Sequence, residues 1–272
     1  MDEINQNYYR LVFTSLPDEI TLVHLYECGL EAVEEKETHI EGYLPESLYS
    51  PALLDKLRSI LPIRTSERLE PQNWNAIWES SFQPVWVDGK VHIRASFHEK
   101  SPGGMDVVID PKMAFGTGHH ATTSMVIREM LDLDLEGRAV LDFGCGSGLL
   151  SIVAEKLGAG RIKALDYDPW SVENTKENMK VNQSRHIEVK QADSLNEETG
   201  AYDLILANIT RDVLIRNTPD ISRLLKPGGH AVYSGFLSGD RPILETEIRK
   251  YGMEPGKSAE ESGWGVLVMT KT

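Results

Sequence analysis

The chain has 272 residues, 40% of them hydrophobic, and its 42 Asp and Glu against 28 Lys and Arg give a formal charge of -14. That length holds one large domain plus a small one. No run approaches the roughly 18 consecutive apolar residues of a membrane span, and the acidic balance repels nucleic acid and favours a basic partner.

The opening MDEINQNYYR lacks the basic and apolar regions of a signal peptide. Cys28 and Cys145 stand far apart without a CxxC or metal-like spacing, so a reduced cytoplasmic protein with neither disulfide nor zinc framework is expected. In chain order, YYRLVF predicts a strand, Asp18 to Cys28 a helix, and EAVEEKETHIEGYL one or two strands broken near Glu37. SPALLDKLRSIL reads as an amphipathic helix with Ser50 as N-cap and Pro51 at the first position, and IRTSERL closes the set. This split βαβ order predicts a small α+β, ferredoxin-like domain over residues 1–69. Pro71 opens a bridge over 70–83, where WNAIWESSF predicts a short linker helix with Trp74 and Trp78 on one face. VWVDGKVHIRA predicts a hairpin with a two-residue turn at Asp88 and Gly89, the start of a third region over 84–272. Strands expected at 139–143, 161–165, 186–191, 202–208, 230–234 and 265–270 alternate with helices there, which predicts an α/β fold with a mostly parallel sheet.

The chemistry concentrates where strands end. VLDFGCGSG carries Gly144, Gly146 and Gly148 as G-x-G-x-G, one spacing away from the G-x-G-x-x-G of dinucleotide sites, and no G-K-[ST] follows for a Walker loop. Asp142 stands just before this loop, where it would repel a pyrophosphate and attract a positively charged amino group. S-adenosylmethionine, with a sulfonium, an ammonium and no phosphate, suits the loop best. Asp166, ending the next strand, is placed to accept hydrogen bonds from ribose hydroxyls, which fits either cofactor. Asp193 is placed to receive an adenine amino group or to be a solvated loop acid. Asn208, at the end of YDLILAN, either sets an amide carbonyl beside the methyl donor or caps the next helix. KPGG reads as the turn into the following strand. Upstream, AFGTGHHATTS resembles a cofactor lid, with Thr122 or Thr123 available as a helix N-cap and with no third ligand in spacing to make His119 and His120 a metal site.

Taken together, NWNAIWESSFQP, VIDPKMAFGTGHHATTS, VLDFGCGSGLLSI, LDYDPWSVENTKEN, YDLILANI and LKPGG, in this order, resemble the ribosomal protein L-eleven methyltransferase family, from about Asn73 to the end. The resemblance implies a class I methyltransferase domain, Rossmann-like, that uses S-adenosylmethionine, behind a small substrate-recognition domain and a linker helix. It implies methylation of lysine side chains and the N-terminal amine of the ribosomal protein, which is then the protein partner, with no direct nucleic-acid or membrane contact. Family cofactor contacts fall on Thr123, Gly144, Asp166 and Asn208, and Gly146 and Asp142 join them from the chemistry above. The chain departs from the family pattern by having His119 where Thr is common and Ala121 where Pro is common. An N-methyltransferase of another amine, a nicotinamide-dependent oxidoreductase, and a noncatalytic assembly factor that binds S-adenosylmethionine are the competing readings.

Overall fold

A computed structural model describes residues 8–69, 83–110 and 116–272. Of the linker helix expected over 70–83, residues 70–82, with Trp74 and Trp78, lie outside the described residues, as do Ala114 and Phe115 of the AFGTG segment. The chain divides into two compact units, Met1–Phe82 and Gln83–Thr272.

The first unit runs β1 (Tyr8–Phe13), α1 (Glu19–Glu27), β2 (Ala32–Glu35), β3 (Ile40–Pro45), α2 (Pro51–Ile60) and β4 (Ile63–Leu69). Its sheet has the order β2-β3-β1-β4 with every neighbouring pair antiparallel, the ferredoxin-like arrangement. Local chemistry sets its helix starts: Asp18 accepts from Thr21 N at 2.7 Å, Ser50 Oγ accepts from Leu53 N at 3.2 Å, and Pro51 occupies the first turn. Leu11, Phe13, Leu25, Leu44 and Leu57 form its buried core.

The second unit opens with β5 (Val85–Val87), β6 (Val91–Arg94) and β7 (Met105–Val108), then α3 (Ala121–Leu131) and β8 (Ala139–Phe143). It continues α4 (Leu149–Lys156), β9 (Arg161–Asp166), α5 (Pro169–Asn182), β10 (Ile187–Gln191), β11 (Tyr202–Asn208) and α6 (Arg211–Leu224). It closes with β12 (Leu225–Leu237), α7 (Arg241–Arg249), β13 (Met253–Glu261) and β14 (Trp264–Lys271). The main sheet has the order β10-β9-β8-β11-β12-β14-β13, with β14 antiparallel to both neighbours and β8 to β12 parallel. Alternation along β8 sends Val140 into a core with α3 and α4 and Leu141 into one with α6 and α7, so both faces are covered.

Three expectations need correction. The β5-β6 loop spans three residues, because Val87 pairs with Val91; positive φ at Asp88 and Gly89 still makes the turn there. KPGG is not a turn outside a strand but lies inside β12, which begins at Leu225. β13 was not foreseen: its sequence, MEPGKSAEE, is polar and contains a proline, which an edge strand tolerates because one side of its backbone has no ladder to complete.

Candidate active site

β8 feeds the glycine loop, and the loop is tied down by its own backbone. Gly144, Gly146 and Gly148 all have positive φ (81°, 56° and 81°), a conformation that side chains disfavour. A Cβ on Gly144 would collide with Ile209 Cγ2, and one on Gly148 would stand 2.6 Å from Thr175 Cγ2. Gly144 N and Cys145 N both donate to Leu165 O, at 2.7 and 3.0 Å, and Gly146 N donates to Asp166 Oδ2 at 2.9 Å. Thr175 Oγ1 and Asn178 Nδ2 donate to the carbonyls of Gly146 and Ser147, each at 2.8 Å. A pyrophosphate cradle needs N–H groups aimed at the ligand. Here three of them are engaged by β9, which takes from the dinucleotide reading its main anchor.

Asp166 ends β9 nearly buried, at 6% exposure. Beyond the bond from Gly146 N it accepts Asp168 N on Oδ1 at 3.0 Å, and an ionised carboxylate has about four acceptor positions, so room for hydroxyl donors remains. Asp142 sits differently from its expected place. It shares the α4 face of β8 with Val140, is fully buried, accepts Ser151 Oγ on Oδ2 at 2.7 Å, and does not line the cavity described below. Burial, opposed by the Ser151 hydrogen bond and reinforced by the Asp166 charge, pushes its carboxyl up to about 7. Burial also pushes the Cys145 thiol up, so it is held as a protonated thiol, not a nucleophile.

Asn208 closes β11 at the far wall. Its Nδ2 donates to Thr123 Oγ1 at 3.4 Å, while its Oδ1 is buried with no hydrogen-bond partner among the described residues. The capping alternative is not realised, because the N-cap of α6 is Thr210. Nor does either threonine cap α3: the cap is His120, whose side chain accepts Thr122 N at 3.3 Å. Ala121 therefore takes the first helical position, where proline is also favoured. His119 is held between Thr117 Oγ1 (3.1 Å) and Gln83 O (2.9 Å).

A cavity of about 790 Å³ lies at the carboxyl ends of β8, β9, β11 and β12, where ligands of open α/β sheets bind. Thr123, Gly144, Gly146, Asp166, Asp193 and Asn208 all line it. So do Tyr167, Trp264, Arg216 and Asn217, which the sequence reading missed. Tyr167 had a signal in standing next to Asp166 at a strand end. Trp264 arrives on β14 from the end of the chain and meets His120 edge to face, 4.9 Å between ring centroids, a meeting that only the sheet order creates. Carboxylates at Asp166, Asp168 and Asp193, apolar surface from Phe143, Leu149 and Val213, and the orphan carbonyl of Asn208 form one lining. With three aspartates against the single guanidinium of Arg216, this lining fits an adenosine with its hydroxyl and amino donors and a positively charged sulfur.

Known proteins agree with this geometry. Residues 17–272 match the family model described as ribosomal protein L11 methyltransferase (PrmA). The chain is 38% identical to the ribosomal protein L11 methyltransferase of Porphyromonas gingivalis over 96% of each chain, and 34% identical to that of Phocaeicola vulgatus over 96% of this chain and 98% of the relative. Among solved structures, the ribosomal protein L11 methylase of Lactobacillus delbrueckii subsp. bulgaricus superposes with a TM-score of 0.65 at 25% identity, over 70% of this chain and 100% of its own. A methyltransferase from Pyrococcus furiosus shares the fold alone, with a TM-score of 0.51 at 15% identity over 61% of this chain and 89% of its own. With a family match over nearly its whole length and the strand order of a class I methyltransferase, this chain belongs to the ribosomal protein L11 methyltransferase family.

Proposed function

We propose that this protein transfers methyl groups from S-adenosylmethionine to lysine side chains, and to the N-terminal amine, of ribosomal protein L11. The observation that carries the reading is the acid-lined cavity at the strand ends, with Asp166, Asp193 and Asn208 in its wall, in a chain of this family.

When bound, the cofactor supplies a methyl on a positive sulfur: the amine lone pair forms the N–C bond while the C–S pair departs on sulfur, leaving a neutral thioether. Asp166 would hold the ribose hydroxyls, Gly144 and Gly146 would let the backbone approach, Thr123 and Asn208 would lie toward the reacting end, and Asp193 would receive the adenine amino group. Asp142 would stabilise the cationic part from behind the loop. The acceptor needs help, since a lysine of pKa ~10.4 is neutral in only about one molecule in 2,500 at pH 7. The Asn208 carbonyl accepts an N–H of the neutral amine and aims its lone pair, and a positive sulfur nearby lowers the amine pKa.

In this reading residues 1–69 recognise the substrate, 70–83 link, and 84–272 catalyse. The protein works in the cytoplasm, where its ribosomal substrate is made. Among the described residues no helix is long and apolar enough to cross a membrane. Intact-mass analysis of ribosomal proteins from a strain lacking this chain tests the proposal: L11 should lose mass in steps of one methyl group. An unchanged L11 mass would overturn the substrate, and calorimetric binding of NADH in place of S-adenosylmethionine would overturn the chemistry.

A further inference from the structure

The α6 side of the cavity carries an acceptor outside the groups that handle the ribose and the substrate amine. Asn217 lines the cavity and is 5% exposed. Its Nδ2 donates to Val213 O at 2.9 Å, one turn back on α6, and because a carbonyl only accepts, this bond fixes which end of the amide is engaged. The other end, Oδ1, has no hydrogen-bond partner among the described residues, yet unlike Asn208 Oδ1 it is not sealed from solvent.

The surface around it is apolar and belongs to one side of the sheet. Phe143, Ala192, Ile209 and Val213 line the cavity and pack with the α6 core, whereas the glycine loop runs into α4, whose core lies on the other face. A flat heterocycle fits that apolar stretch, and Asp193 follows Ala192 in the same wall as a further acceptor. S-adenosylmethionine has three kinds of hydrogen-bond donor: an ammonium, the ribose hydroxyls and the adenine amino group. The hydroxyls fall to Asp166 and the ammonium to the side of the glycine loop, which leaves the amino group, the one donor on an apolar ring, for the α6 side. That group carries two N–H bonds, and a single acceptor at Asp193 satisfies only one.

We propose that Asn217 is a specificity-determining residue for the cofactor's base, its Oδ1 accepting one N–H of the adenine amino group while Asp193 accepts the other. A base with a carbonyl at that carbon sets acceptor against acceptor and loses the hydrogen bonds, so the pair selects adenine over hypoxanthine. The proposal rests on the methyltransferase reading and deepens it.

Calorimetry tests it with S-adenosylhomocysteine and its deaminated counterpart S-inosylhomocysteine, each titrated into wild type, Asn217→Leu and Asn217→Asp. Wild type should prefer the adenine compound. Leucine fills a similar volume without the acceptor, and the helix loses no backbone bond, because Val213 O keeps the helical N–H of residue 217. It should reduce the preference by about tenfold, through the lost hydrogen bond to adenine and the relieved repulsion of the inosine carbonyl. Aspartate keeps an acceptor and should keep the preference. An unchanged ratio of the two affinities in Asn217→Leu would overturn the proposal, since a side chain that only packs α6 cannot tell the two bases apart. Should leucine lower the melting temperature, Asn217→Ala is read through the same ratio, in which a general loss of fold cancels. Wild type that binds NADH and neither homocysteine compound would instead overturn the reading on which the proposal rests.

Discussion

The two walls of the cavity are built on opposite principles. At the ends of β8 and β9 the polar backbone is satisfied internally: the glycine-loop N–H groups go to Leu165 O and Asp166, and its carbonyls to Thr175 and Asn178. At the ends of β11 and β12 the Asn208 carbonyl is buried without a partner among the described residues. The first wall is preorganised and needs little rearrangement to receive a cofactor; the second leaves one side-chain acceptor unpaired. A site divided in this way should separate binding defects from turnover defects according to the wall that is changed.

The largest effect should come from breaking the support of the second wall. A Cβ on Gly235 would stand 2.5 Å from the Ile209 carbonyl oxygen, at a φ of 84°, and a backbone atom gives way only by moving its whole segment. Gly235→Ala should shift Ile209 and Asn208 with it, abolish methylation and lower Tm by several degrees, as about 2–3 kcal/mol would in a chain of this size. Gly228→Ala is the control, since its φ is 75° with nothing within 4 Å of the added carbon. It should cost only the strain of the backbone, about 1 kcal/mol, and leave activity near wild type. Equal losses in the two variants would show that crowding at Ile209 is not what Gly235 relieves.

Next in size, Asp166→Ala attacks the first wall. It removes the acceptor for ribose hydroxyls and frees Gly146 N and Asp168 N at once. With charged hydrogen bonds contributing about 1.5–3 kcal/mol each, S-adenosylmethionine affinity should fall at least about a hundredfold by calorimetry. Affinity within a few-fold of wild type in a folded variant would remove Asp166 from the ribose site.

Much of this architecture was legible in the chain because apolar runs bounded by turn residues are strong signals: Tyr8–Phe13, Ala139–Phe143 and Tyr202–Asn208 stand where the pattern puts them. The unread parts have physical causes. β13 lies at a sheet edge and buries few side chains, so it carries no alternation to detect. Trp264 joins the cavity only because β14 inserts between β12 and β13, which chain order does not reveal. Thr123 and Asn208 meet across 85 residues, a pairing no local spacing announces. Asp142 was readable in principle: period-two alternation from Val140 turns it toward the helix-packed face and away from the loop mouth.

Smaller and confined to turnover, Asn208→Asp sharpens the comparison through pH. A carboxylate in place of the amide stabilises the unreactive ammonium form of the acceptor and raises its pKa, so the rate should fall about ten- to a hundredfold at pH 7 and recover in part toward pH 10. The cofactor should still bind, because the first wall is intact. A ratio of variant to wild-type rate that stays flat from pH 7 to pH 10 would end the orienting role of Asn208.

The smallest expected effect lies behind the first wall, at Asp142. Its carboxyl, raised to about 7 by burial, is partly protonated near neutrality in the free protein. A cofactor carrying a sulfonium and an ammonium favours the ionised form, so below about pH 7 binding must expel a proton, and affinity weakens as pH falls. Between pH 8 and pH 6 one such group gives a loss of about tenfold, and Asp142→Asn should flatten that dependence. Folding carries the opposite sign. The unfolded carboxyl ionises near 3.8 and the folded one near 7, so this group makes the protein less stable as pH rises through that window and has no further effect above it. Asp142→Asn should therefore raise Tm at pH 7 relative to wild type and leave it little changed at pH 4, while Ser151 Oγ keeps an acceptor in the amide oxygen. A cofactor affinity that falls just as steeply below pH 7 in the variant would place the titrating group elsewhere and leave Asp142 a packing residue.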